Sequence, residues 1–281
     1  MSSSTRAFLL VALFALPCAA VLHLLALLGV LGAWPAMVHL TMFGWITAMI
    51  MAVNYHTLPV FSARDFPYPA LIWGHWALSS VGVALASGGL LAGWGAGTSA
   101  GLLLQVGGAL IFVGNTMLLF LRGAPRPQRH PTPPIAGQIQ VDHIGAGATT
   151  AAGICLPLAL LLLLAAQLGG FSGQWVLAAE HLATLGWIML MIVGVAYHTL
   201  PRFSGCGTRG PAWVRAQLLS HGAALALIVL ALGFGWSAGF ALGGFLMALA
   251  LGLFAWTIWP TLRTIQPQLT LHVLAVKEHA R

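Results

Sequence analysis

The chain has 281 residues, of which 59% are apolar and only 5% are charged. This number of charged side chains is too small to cover the water-soluble surface of a protein of this size. The composition therefore excludes a soluble globular domain and predicts a membrane protein. The net charge of +7 does not indicate nucleic-acid binding, because Lys and Arg are scattered over the loops without a basic patch interleaved with aromatic residues.

Eight apolar runs are long enough to cross a bilayer, since roughly 20 helical residues span its ~30 Å hydrocarbon layer. In chain order they cover residues 7–32, 36–60, 70–93, 98–121, 142–168, 175–201, 212–235 and 238–261. We therefore predict an all-α integral membrane protein with eight transmembrane helices in contact with membrane lipid.

Two polar segments lie outside these runs. Gly123–Pro134 reads GAPRPQRHPTPP, and its prolines exclude a membrane-embedded helix, so we expect an extended linker there. The tail after Thr261 is expected to lie along the interface as an amphipathic helix that Pro267 interrupts.

The basic residues indicate the orientation of the chain. All of them fall in the N-terminus, the second, fourth and sixth loops, or the tail: Arg6, Arg64, Arg122, Arg126, Arg129, Arg202, Arg209, Arg215, Arg263, Lys277 and Arg281. Because Lys and Arg collect on the cytoplasmic side, both termini are predicted to be cytoplasmic in a bacterial-type inner membrane.

The chain contains an internal repeat with an offset of 142 residues, since 181 − 39 = 142. At this offset His39, Gly44-Trp45, the run Tyr55–Pro59 and Gly93-Trp94 align with His181, Gly186-Trp187, the run Tyr197–Pro201 and Gly235-Trp236. Shared His, Trp, Tyr and Pro at one register indicate duplication. We predict two parallel four-helix repeats, 1–122 and 142–263, joined by the linker 123–141 and followed by the tail 264–281.

The repeat places pairs of histidines at two levels of the membrane. His39 and His181 fall at the outer starts of the second and sixth helices, and His56 and His198 fall at their inner ends, roughly 26 Å away at 1.5 Å per residue. Two more histidines belong to the inner level: His75, and His221, which lies one turn beyond the register counterpart of His75, Gln217.

Intramembrane histidines in this number suggest a cofactor. Neutral imidazole ligates haem iron or a transition metal without burying a charge. Carboxylates are nearly absent from the apolar runs, which disfavours hydrolysis and carboxylate-lined ion transport, and Glu180 beside His181 is the one acid at the outer level. We expect His39 and His181 to bind haem iron, and His56, His198, His75 and His221 to bind a second haem or a metal.

Small and aromatic residues accompany the outer histidines. Gly44-Trp45 and Gly186-Trp187 lie about one and a half turns below His39 and His181. A glycine beside an aromatic wall leaves room for a flat macrocycle, and it equally permits close helix packing. The sequence leaves both interpretations open.

The segment Glu180–Arg202, EHLATLGWIMLMIVGVAYHTLPR, resembles a late helix of the haem-copper oxidase catalytic subunit, particularly in the C-family cytochrome c oxidases. It is more loosely similar to NO-response haem membrane proteins of the NnrS type. The resemblance implies that His181 is a low-spin haem b ligand, with His39 as the second ligand through the repeat. The family's copper-binding histidine pair does not occur here, and Ala179 stands at the position of its high-spin ligand, so a full oxygen reductase is not expected.

Three functions follow from these patterns. The first is a b-type haem protein, with one or two haems, that transfers electrons or responds to NO or O2. Its expected partners are a quinol or a cytochrome, and a second copy of the chain in a homodimer. The second is a copper- or zinc-binding transporter, in which methionines add soft ligands. The third is a structural or assembly subunit whose histidines form hydrogen bonds between helices.

Overall fold

The computed structural model describes residues 2–125, 135–169 and 173–279, the stretch 265–279 by its backbone alone. Its helices are α1 Ser3–Leu27, α2 Ala33–Ser62, α3 Pro69–Ala92, α4 Gly95–Arg122, α5 Gln138–Gln167, α6 Gly173–Ser204, α7 Pro211–Gly233 and α8 Ser237–His279. In the described residues, eight helices are long and apolar enough to cross a membrane. The predicted all-α, multi-pass membrane protein is confirmed at this level.

Two segments differ from the predicted elements. The backbone of α8 continues as one helix to His279, so the tail does not begin a separate element after Thr261, and Pro267 does not end the helix. Arg64–Asp65 (β1) and Ala124–Pro125 (β2) form a short antiparallel pair that joins the α2–α3 connection to the chain after α4. Of the predicted linker 123–141, residues 126–134 lie outside the described residues, Arg126, Arg129 and His130 among them, and α5 begins inside the linker at Gln138.

Matching glycines end α3 and α7. Gly93 and Gly235 have φ values of 65° and 69°, a left-handed conformation that glycine adopts without a Cβ penalty. The next residue closes the helix in each case: Trp94 N–H donates to Gly89 O at 2.8 Å, and Trp236 N–H donates to Ala231 O at 2.7 Å. These caps allow α4 and α8 to begin after two or three residues.

The helix bounds follow the offset found in the sequence. Adding 142 to the first residues of α3 and α4, 69 and 95, gives 211 and 237, where α7 and α8 begin. For α2 the sum is 175, two residues after α6 begins. The local structure therefore repeats at the predicted register. The parallel arrangement of the repeats stays a prediction.

Both α2 and α6 contain a π-helical segment directly after the repeated histidine. Leu40–Ile46 follows His39, and Leu182–Met189 follows His181. A π-helix closes its hydrogen bonds at i→i+5 and is rare, and it often marks a functional site. Hydropathy alone gives no signal for it.

The chain divides into two compact units, Met1–Arg129 with Gly153–Thr184, and His130–Ala152 with Leu185–Arg281. In the first, α1 packs along α2 through small residues such as Ala12, Ala15 and Ala19. In the second, Val141, Val193, Tyr197, Val214 and Ile258 form an apolar core. The predicted boundaries of the repeats rest on sequence similarity and stay a prediction.

Candidate functional site

His39 is buried in the first unit, with 6% of its surface exposed. Its Nε2 lies 3.0 Å from Nε2 of Gln105 on α4, and the same amide nitrogen lies 3.3 Å from Gly101 O. An amide NH2 group only donates, so Nε2 of His39 accepts and Nδ1 carries the ring proton. The Phe43 ring lies 4.7 Å from the imidazole, centroid to centroid. His39 is therefore a neutral, oriented imidazole.

His181 has the same tautomer as His39. Its Nδ1–H donates to Leu177 O, one turn earlier in α6, at 2.9 Å. Nε2 is then the ring nitrogen that carries the lone pair. A backbone carbonyl bound to Nδ1 also fixes the ring orientation, as it does for many metal-bound histidines.

A cavity of about 130 Å³ adjoins His39, with its whole wall in the first unit. Most of the wall is apolar, including Phe43, Leu102 and Leu163, and four polar side chains contribute to it: His39, Thr98, Gln167 and Glu180. Thr98 already donates to Trp94 O at 3.2 Å. The cavity thus brings His39 together with Glu180, the neighbour of His181 in the chain.

The role of the polar residues near His39 was not predicted from the sequence. Gln105 and Gln167 lie in apolar runs, and intramembrane polar residues are costly enough to suggest a function. That signal is present in the sequence, but an amide is not a ligand of haem iron as imidazole is, so the glutamines were assigned no role.

The space beside Gly44 is filled by neighbouring helices. A Cβ at Gly44 would lie 2.7 Å from Leu40 Cδ1, 3.1 Å from Val83 Cγ1 and 3.2 Å from Ala15 Cβ. Of the two interpretations left open by the sequence, this position favours close helix packing. Trp187 is fully buried and Gly186 is buried, whereas Trp45 is half-buried; their assignment to a macrocycle stays a prediction.

His75 lies in an aromatic cluster of the first unit and is 1% exposed. Its Nδ1 forms a 2.9 Å hydrogen bond with the Tyr55 hydroxyl, and the Phe8 and Phe112 rings lie 5.0 and 5.7 Å away. In the second unit, Tyr197 O–H donates instead to Gln217 Oε1 at 3.3 Å. Gln217, and not His221, therefore takes the place of His75.

His221 binds the π-helical segment of α6. Its Nε2–H donates to Leu185 O at 2.9 Å, and Thr47 Oγ1–H in the first unit donates similarly to Met42 O at 2.8 Å. A π-helix changes which amide each carbonyl receives, and a side-chain donor satisfies the carbonyl left over. Among the described residues, Nδ1 of His221 has no partner.

His198 belongs to an ionic network at the start of α5. Asp142 Oδ1 accepts from His198 Nδ1–H at 3.0 Å and from Gln138 Nε2–H at 2.8 Å. Arg202 donates to both oxygens of the same carboxylate, at 3.0 and 2.6 Å. This bidentate pair neutralises the charge of Asp142 and orients His198.

The inner histidines have different surroundings in the part of the chain whose side chains are described. No group of three or more His, Cys, Asp or Glu there could hold a metal ion. His56 is exposed, while His75, His198 and His221 bond to Tyr55, Asp142 and Leu185. Their binding of a second haem or a metal stays a prediction.

Haem fits the donor chemistry of His39 and His181. Iron binds one ring nitrogen while the other donates to an acceptor, and His181 has this arrangement through Leu177. His39 can offer Nε2 once Gln105 releases it. The cavity of about 130 Å³ is smaller than the roughly 300–1,000 Å³ of small-molecule pockets, so by itself it does not hold a whole porphyrin.

No protein-family model matches the chain. No curated protein sequence matches it significantly. The resemblance of Glu180–Arg202 to haem-copper oxidases therefore rests on those residues and stays a prediction.

Proposed function

We propose that the chain is a b-type haem-binding membrane protein that transfers electrons or responds to a diatomic gas, and that His39 and His181 are the residues that would hold the haem iron. The observation that carries the proposal is local: each histidine ends an α-helical segment directly before a π-helical one. Recurrence of this rare feature at the same offset favours a shared role for the two side chains.

The side chains around the two histidines support ligation without buried charge. His39 is neutral because it accepts from Gln105, and the Leu177 carbonyl holds the proton of His181 on Nδ1. When bound, haem supplies reversible one-electron chemistry and a site for gas ligands. The protein contributes the two imidazoles and the orientation that their hydrogen bonds give them.

Absorption spectroscopy of the purified protein tests this proposal. We expect reducible Soret and α bands, and their loss in His39→Ala and in His181→Ala. His143→Ala is the matched control, because His143 is an exposed histidine of α5 that the proposal leaves out. A folded wild-type protein without haem bands or extractable haem would refute the proposal.

The proposal includes the arrangement of the chain. The one-sided basic residues, with two parallel repeats of four helices each, support both termini on the cytoplasmic side of a bacterial-type inner membrane. A C-terminal fluorescent reporter should be active and a C-terminal alkaline phosphatase inactive. The opposite pair of results would reverse the orientation.

A second function, a structural or assembly subunit, is favoured by a different observation. Buried histidines bond between helices, His39 with Gln105 and His75 with Tyr55. Two results together would support it: the purified protein contains no haem, and its histidine variants lose stability while their metal content stays that of the wild type. Measuring iron, copper and zinc in the same sample also tests the copper or zinc transporter, for which the described residues offer no three-ligand group.

A further inference from the structure

The cavity beside His39 has the size of a single six-membered ring. Its volume is about 130 Å³, and an engineered apolar protein cavity of roughly 150 Å³ binds benzene. One or two water molecules would leave most of this volume unfilled, and a fused two-ring group exceeds it. The dimensions therefore indicate one ring.

The polar residues of the wall specify the substituents of that ring. Glu180 is half-buried and Gln167 is exposed at the end of α5, and an unsubstituted hydrocarbon would offer neither side chain a hydrogen-bond partner. A ring that carries oxygen atoms can accept from the Gln167 amide and exchange a hydrogen bond with Glu180.

The location of the cavity specifies how such a ligand arrives. Its wall comes from α2, α3, α4, α5 and α6, all long enough to cross a membrane, and the cavity is partly open. A compound with an apolar tail can reach it through lipid, and the open side leaves room for the tail and for ring substituents.

We propose that this cavity binds the head group of a single-ring quinone of the benzoquinone class. The ring lies against Phe43 and Leu102, and its oxygen atoms face Gln167 and Glu180. The proposal rests on the cavity and not on haem at His39 and His181. Of the two redox partners expected from the sequence, it selects the lipid-soluble one.

Binding of decylubiquinone to the purified full-length protein in lipid nanodiscs tests the proposal. Ala166→Leu fills the cavity from its α5 wall, and Glu180→Gln keeps the shape while replacing the carboxyl. Each should weaken binding at least about tenfold, the equivalent of one lost charged hydrogen bond or a filled ring site. Ala165→Leu, one residue from the wall, is the matched control and should bind like the wild type.

A two-ring probe separates a ring-sized site from general adsorption. A naphthoquinone with a decyl tail should bind at least about tenfold more weakly than 2-decyl-1,4-benzoquinone, because its second ring exceeds the cavity. Equal binding of the two quinones, or unchanged binding in folded Ala166→Leu, would overturn the proposal. Haem content measured in the same samples reports separately on the haem proposal, so the failure of one is distinguishable from the failure of the other.

Discussion

Replacing Tyr55 by Phe removes one hydroxyl and keeps the ring that stacks 5.5 Å from Phe8. The lost hydroxyl is the partner of Nδ1 of His75, at 2.9 Å, and His75 is 1% exposed. No water reaches this position to replace the hydroxyl, so the imidazole keeps an unsatisfied nitrogen, which typically costs about 1–3 kcal/mol.

Measurements on helices in membranes lower this expectation. Interhelical hydrogen bonds there contribute about 0.6 kcal/mol on average and about 1.7 kcal/mol at most, because the unfolded chain in the membrane also finds partners. We therefore expect Tyr55→Phe to reduce the free energy of unfolding by about 1–2 kcal/mol.

The second repeat provides the control. Tyr197→Phe removes the equivalent hydroxyl, whose bond to Gln217 is longer, at 3.3 Å, and we expect a loss of about 0.5 kcal/mol. Unfolding in mixed micelles titrated with SDS measures both variants. The reasoning is refuted if Tyr55→Phe unfolds at the wild-type midpoint, or if Tyr197→Phe is the more damaging of the two.

Three further predictions use the contacts around the histidines and the small residues. Gln105→Leu removes the donor that competes for Nε2 of His39, so the haem should be retained about tenfold more tightly in an extraction assay. Easier extraction would show that Gln105 instead supports the haem-bound ring. Gly44→Ala places a methyl 2.7 Å from a neighbouring side-chain carbon and should reduce the free energy of unfolding by about 1–3 kcal/mol. Gly222→Ala, with no described atom within 4 Å, should instead stabilise its helix by about 0.5–1 kcal/mol. The temperatures of thermal unfolding in detergent should therefore shift in opposite directions for the two variants. Asp142→Asn loses the bidentate arginine contact and the charged partner of the neighbouring imidazole, and a loss of about 1–3 kcal/mol is expected; an unchanged unfolding midpoint in SDS would contradict this role for the carboxylate.

The number and approximate positions of the helices were predictable because membrane spans are a property of composition. The glycines at 93 and 235 also marked their helix ends, since a left-handed C-terminal residue favours glycine. The end of α8 was not predictable in this way: a proline at 267 normally suggests a boundary, yet the backbone of Ser237–His279 continues through it.

The sequence predicted which residues belong to the candidate site, but not which side chains they contact. The repeat identified His39 and His181, and the structure shows that both precede a π-helical segment. The sequence could not identify Gln105 as the partner of His39, because the rotation of α4 about its axis is set by packing and not by hydropathy. The register did identify Gln217 as the counterpart of His75, and Tyr197 bonds to it as Tyr55 bonds to His75.

The π-helical segment Leu40–Ile46 also sets the direction, around the axis of α2, in which each later side chain of that helix points. Each α-helical residue advances the chain by about 100° around the axis, so deleting a single residue between His39 and Tyr55 would turn the second side chain by that angle relative to the first. The hydropathy profile and the length of the span would hardly change. Two chains with the same transmembrane profile would then differ in whether their tyrosine meets a histidine at all.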